Sequence, residues 1–115
     1  MIMTHSRWLA TVLASTLTFT GIAWAASPDS AALELGKQVF VELAQPQCGI
    51  CHTLADAGTT GAVGPNLDKM ELTEGKVRLA VSDGIGVMPA YDETLSQEQI
   101  DAVALYVSTV TGQTD

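Results

Sequence analysis

Four stretches of the 115-residue chain carry a sustained run or period of apolar positions. The first, from Trp8 to Ile22, is apolar and without charge. The second places Leu33, Gly36, Phe40 and Leu43 at spacings of three and four, which predicts a helix over 31–44. It should stop before Pro46, because the residue ahead of a proline is pushed out of the helical region. Ser27-Pro28-Asp29-Ser30 supplies its start: Pro28 cannot extend a helix backwards, and Asp29 or Ser30 can accept from the free backbone donors. Thr73 predicts the cap of a short third helix over 74–82, with Val77, Ala80 and Val81 on its apolar face and Asp83-Gly84 closing it. The fourth begins at Ser96-Gln97-Glu98-Gln99, a capping-box pattern. It puts Ile100, Val103, Ala104 and Val107 on one face of a helix reaching to about 110 and ending near Gly112.

Between these stretches the period is lost. Residues 53–67 are rich in Thr, Gly, Ala and Asp and read as a loop ending in Gly64-Pro65-Asn66-Leu67. Gly84-Ile85-Gly86-Val87-Met88-Pro89 is too glycine-rich for regular structure. Gly36 inside a helix costs about 1 kcal/mol relative to Ala. Close approach of another helix would recover that cost; a merely tolerated glycine is the other reading. No internal repeat or low-complexity segment is present.

The first apolar stretch stands apart from the rest. His5-Ser6-Arg7 gives it a short basic start, and Ala23-Trp24-Ala25 is a small-x-small cleavage site, so residues 1–25 are expected to be a secretory signal removed after Ala25. A retained membrane anchor is less fitting: the run falls short of the ~20 residues that span a bilayer and is diluted by threonines and serines. Residues 26–115 then form one domain, with no stable membrane anchor. Both tryptophans and His5 leave with the signal, so Phe40, Tyr91 and Tyr106 are the remaining aromatics and His52 the remaining histidine. A chain that small and poor in large apolar side chains needs something else to complete its core. Charge narrows the partners further. The full chain carries −8, and losing Arg7 makes it one unit more negative, which argues against nucleic acid and anionic lipid and towards a basic protein surface.

Cys48-Gly49-Ile50-Cys51-His52 supplies the missing component. C-x-x-C-H is the attachment signature of c-type haem. On a helical turn the two thiols lie three apart on one face, where both can form thioethers to the vinyl groups along one haem edge. His52 follows four residues after Cys48 and can bring its imidazole under the iron, while Gly49 and Ile50 need only stay out of the way. Competing uses of the motif fit less well. A thioredoxin-type dithiol belongs at the end of a strand opening a helix, and no strand pattern precedes Cys48. A zinc site needs four ligands, and Cys48, Cys51 and His52 have no further Cys or His to join them. A disulfide closing so short a loop gains little chain entropy and leaves His52 without a role. A ligand histidine wants an acceptor for the ring nitrogen that does not bind metal. Pro65, lacking an N–H but keeping its carbonyl, is the candidate.

Iron held by His52 needs a sixth partner. With no second histidine after residue 25, the candidates are Met70 and Met88. Met70 sits among charged neighbours with no glycine beside it, and reads as packing filler. Met88 follows two glycines that let the backbone lie close to a flat cofactor, and Pro89 holds it extended so that its thioether can project from a loop. A core methionine is the competing reading of Met88.

With these residues in place, the chain resembles the class I c-type cytochromes. The resemblance rests on Gly36 and Phe40 as a G-x-x-x-F pair, Cys48 to His52, Gly64-Pro65-Asn66-Leu67, Met88-Pro89-Ala90-Tyr91, and Leu105-Tyr106 in the last helix. Together these cover residues 31–110 in the right order. It implies an all-α cytochrome c fold of three to four helices wrapped around one covalently attached haem c. In it the first and last helices cross, Gly36 admits Tyr106, and His52 and Met88 lie on opposite haem faces. The sequence around the haem is also similar to cytochromes that accept electrons from periplasmic molybdenum sulfite dehydrogenases. One departure is the lack of tryptophan after the signal, which many relatives set against a haem propionate.

The expected function is that of a periplasmic one-electron carrier rather than an enzyme, bound through Cys48, Cys51, His52, Pro65 and Met88. Its partners would be a donor dehydrogenase, such as a sulfite dehydrogenase, and a terminal oxidase or another cytochrome. His and Met ligation favours the reduced state and fills the sixth position, and transfer would pass through the thioether edge near Cys48 and Cys51. Two alternatives stand beside it. One is a haem enzyme or gas sensor with Met88 displaced, which the lack of a spare histidine or a catalytic dyad opposes. The other is a fixed electron-transfer subunit of an oxidoreductase.

Overall fold

The computed structural model describes residues 28–112, so the expected signal over 1–25 lies outside the described residues. Helix α1 (Pro28–Gln38) runs on into a π-helical turn, Val39–Leu43. Helical backbone therefore starts three residues before the expected 31 and ends one before 44. Ala44 closes it in an extended conformation, its N–H bonding back to the Val39 carbonyl at 3.1 Å. Through this wider turn Val39, Phe40 and Ala44 all become buried.

The loop expected over 53–67 contains more structure than its composition suggests. Strand β1 (Thr53–Leu54) pairs antiparallel with β2 (Thr59–Thr60), and a 3₁₀ turn follows at Leu67–Lys69, capped by the Asn66 side chain accepting from the Asp68 N–H at 3.0 Å. Two-residue strands are too short to display a period of two, which is why the pattern hid them. The architecture remains helical, as expected.

Helix α3 (Glu74–Asp83) starts where Thr73 caps it, the hydroxyl accepting from the Lys76 N–H at 3.3 Å. Helix α4 (Gln97–Val110) carries both halves of the capping box: Gln99 N–H donates to Ser96 Oγ at 3.2 Å, and Ser96 N–H donates to Gln99 Oε1 at 2.9 Å. Its expected apolar face is buried, with Ile100, Val103, Ala104 and Val107 all in the core. α4 packs against both α1 and α3.

Gly36 decides the α1–α4 contact. A Cβ at that position would stand 2.1 Å from the Ala102 carbonyl oxygen and 2.5 Å from Tyr106 Cβ. The close approach, rather than tolerance, is therefore what the glycine serves. Tyr106 then meets Phe40 edge-on, with ring centroids 6.3 Å apart. Its hydroxyl donates to Asp56 Oδ2 at 2.6 Å, and Lys37 Nζ donates to the Asp56 carbonyl at 2.8 Å, so both helices are fastened to the β1–β2 turn. The Tyr106 hydrogen bond, followed by Lys37, holds the Asp56 carboxyl below the usual carboxylate range. Arg78 links α3 to α4 through Asp101 at 2.6 Å and also pairs with Glu74. Exposed pairs of this kind contribute about 0–1 kcal/mol each, so α4 is held by its apolar face.

Candidate functional site

Helix α2 (Cys48–Cys51) is one turn long. Ile50 N–H bonds to the Gln47 carbonyl at 3.2 Å and His52 N–H to the Cys48 carbonyl at 2.9 Å. The turn ends at His52, whose backbone is extended (φ −113°, ψ 138°). The two cysteines are unbridged and half-buried. Burial pushes the Cys48 thiol up to about 11, opposite in direction to the lowered thiol of a dithiol redox catalyst.

The hairpin closes onto this turn from one side. Thr59 Oγ1 donates to the His52 carbonyl at 2.9 Å, and Gly64 N–H donates to the Cys51 carbonyl at 2.7 Å. Gly49, expected only to stay out of the way, has a specific role. A Cβ there would stand 2.4 Å from Thr59 Cγ2, so the glycine lets β2 lie against the turn. A Cβ at Gly61 would likewise meet the Cys51 and His52 backbone at 2.6 Å. Neither constraint could be read from spacing, because both come from a chain segment that folds back.

His52 Nδ1 and the Pro65 carbonyl oxygen are 2.8 Å apart. A carbonyl can only accept, so Nδ1 carries the hydrogen, and in the neutral ring the lone pair lies on Nε2. Gly64 packs on the ring face: a Cβ at 64 would stand 2.5 Å from Cε1 and 2.9 Å from Nδ1. The pair Gly64-Pro65 thus sets both the tautomer and the plane of the imidazole.

All five sequence-derived residues, Cys48, Cys51, His52, Pro65 and Met88, line one cavity of about 660 Å³. That volume lies within the ~300–1,000 Å³ typical of small-molecule and cofactor sites. Phe40, Leu67, Val77, Val81, Val103 and Val107 bring the core to its wall. Met88 reaches it from a tight turn in which Met88 N–H bonds to the Ile85 carbonyl at 3.0 Å and Ile85 N–H to the Met88 carbonyl at 3.1 Å. Gly84 and Gly86, at φ +73° and +58°, supply the left-handed backbone this turn requires. Met70 departs from expectation: it is 37% exposed and lines the same cavity, instead of filling the core.

Tyr91, which the Met88-Pro89-Ala90-Tyr91 motif includes without giving it a role, is a further participant. It is buried on the cavity wall, donates its hydroxyl to the Pro46 carbonyl at 2.6 Å, and bonds its N–H to the Val81 carbonyl at 2.9 Å. One residue thus joins the Met88 turn, the end of α3 and the segment entering α2. Its position three residues past Met88 was visible, but its partners were not.

Two thiols three apart, an imidazole with one nitrogen committed, two thioethers and a largely apolar wall define a site for a flat, apolar, iron-bearing cofactor attached through sulfur. Known proteins agree. Residues 31–107 match the family model described as cytochrome c oxidase, cbb3-type, subunit III, and the chain belongs to this family of c-type cytochromes. It is 39% identical to the chloroplastic cytochrome c6 of Chlamydomonas reinhardtii over 106 residues, which cover 84% of this chain and 64% of that protein. The chain therefore spans less than two thirds of that relative's length. Among solved structures it is similar to the c-type cytochrome SorU from Sinorhizobium meliloti, at 54% identity and a TM-score of 0.69, covering 73% of this chain and 95% of SorU. The cofactor of the family is covalent haem c, and Cys48 and Cys51 stand at the spacing it requires.

Proposed function

We propose that the protein is an exported one-electron carrier that passes electrons between protein redox partners. Cys48 and Cys51 would hold a haem through thioether links, His52 and Met88 would hold its iron, and Pro65 would orient His52. The observation that carries this reading is the convergence of these side chains on one cavity, with His52 Nδ1 committed to Pro65 at 2.8 Å. Haem c supplies a one-electron ferrous–ferric couple.

The chain's own residues tune and protect that couple. Donation from Nδ1 to the Pro65 carbonyl makes Nε2 a stronger donor and fixes its direction. The Met88 thioether is soft and neutral, which favours the reduced state and raises the potential. With His52 and Met88 both holding the iron, oxygen or peroxide would find no open position. The apolar wall from Phe40 to Val107 keeps water away and lowers the local dielectric.

Export is supported by the pattern of residues 1–25 and by the attachment motif, because thioether formation requires reduced thiols and machinery on the outer side of the bacterial inner membrane. The corresponding location is the periplasm. Among the described residues no helix is long and apolar enough to cross a membrane. The acidic balance, −8 over the chain, favours partners with a basic docking surface. The partners proposed on that ground are a donor dehydrogenase, such as a molybdenum sulfite dehydrogenase, and a terminal oxidase or second cytochrome. The test is an absorption spectrum of the purified reduced protein with and without carbon monoxide, combined with a redox titration. A low-spin spectrum unmoved by carbon monoxide and a single one-electron step are expected. Ready carbon monoxide binding by the native protein would overturn the carrier reading in favour of a sensor or enzyme.

A further inference from the structure

The cavity wall carries one charged side chain among the described residues, Lys76, and no carboxylate. That is unusual placement in a chain with thirteen Asp and Glu against five Lys and Arg. The other cations are accounted for differently. Lys37 is engaged by Asp56, Arg78 by Glu74 and Asp101, and Lys69 is not on the wall. Lys76 forms no ion pair among the described residues and is exposed. On α3 it shares a face with Leu79 and Ala80, three and four residues on, and both of these also line the cavity. Such a lysine lays its aliphatic stem along an apolar surface and keeps its ammonium at the edge.

We infer that Lys76 is the counter-charge for a haem carboxylate, forming a charge-assisted hydrogen bond to one propionate at the cavity rim. The inference rests on the haem reading above. Haem brings two carboxylates into a site that offers them no other cation, and an anion left bare beside the iron would stabilise its ferric form. Lys76 thereby shifts the couple towards the reduced state without touching the iron.

The test uses the holoprotein and two lysines of equal charge. Lys76→Gln should lower the midpoint potential at least threefold more than Lys69→Gln does, with covalent haem and the Met-ligated spectrum retained, and Lys76→Arg should restore most of the shift. In the wild-type holoprotein, acetylation followed by peptide mass spectrometry should modify Lys76 at least tenfold more slowly than Lys69. Equal potential shifts in the two Gln variants would overturn the assignment. So would equal acetylation rates, a readout that needs no variant to fold. Wild-type protein purified from a haem-maturing host without covalent haem would overturn the underlying reading instead, and is distinguished by its lack of a haem absorption band.

Discussion

Gly36 lies directly beneath Tyr106: a Cβ at position 36 would come within 2.5 Å of the Tyr106 Cβ and 2.1 Å of the Ala102 carbonyl oxygen. One of the contacts is backbone, so neither side can yield by changing rotamer. Alanine is the better helix former by about 1 kcal/mol, yet Gly36→Ala should destabilise the holoprotein by about 1–3 kcal/mol, because overpacking outweighs propensity. Denaturant unfolding of the two proteins decides it. A variant as stable as wild type would show that α1 and α4 can separate at no cost.

Met88 and Met70 both line the cavity, but only Met88 is presented by a turn held at both ends by backbone hydrogen bonds. Met88→Ala should keep haem attached through Cys48 and Cys51, become high-spin or water-ligated, bind carbon monoxide and fall in potential. Met70→Ala should retain the low-spin spectrum. The assignment is wrong if the spectra of the two variants are exchanged.

Tyr91 spans three segments through its hydroxyl and its N–H, so Tyr91→Phe should cost about 1–2 kcal/mol by leaving the Pro46 carbonyl without its donor. A pH signature accompanies it. Burial pushes the Tyr91 hydroxyl up to about 12. An unfolded tyrosine titrates near ~10. Below that value both states hold the proton and stability is unaffected. As pH rises from there through 12 the unfolded chain releases its proton first, so stability is lost. Unfolding midpoints measured across this range should fall less steeply in Tyr91→Phe; parallel profiles would count against the assignment.

The cavity also predicts a dependence of folding on the cofactor. Without a cofactor the apolar wall of the cavity of about 660 Å³, Phe40, Leu67, Val77, Val81, Val103 and Val107 among it, loses the partner that would bury it, and a chain this small has little other core to stand on. Cys48→Ala combined with Cys51→Ala should therefore give a largely unfolded product by circular dichroism and NMR dispersion. A cooperative, well-dispersed fold in that variant would sink the argument.

Helices α3 and α4 were legible because each is announced locally. Thr73 and the Ser96–Gln99 box fix their own starts through bonds spanning three residues, and the apolar face of α4 repeats often enough to declare its period. The attachment motif was legible for a chemical reason: two thiols and an imidazole at that spacing have few other uses.

What the sequence alone determined, then, is a helical chain with a C-x-x-C-H attachment motif at Cys48 to His52 and two methionines, Met70 and Met88, as candidate further donors. Only the tertiary structure decided how those donors are held. Thr59 requires Gly49, Tyr106 requires Gly36, Tyr91 finds Pro46 from 45 positions away, and Lys76 reaches the wall that Met70 also joins. Each of these pairs unites residues from different elements. Their constraint is steric or electrostatic contact across space, which leaves no trace in local spacing until the chain has folded.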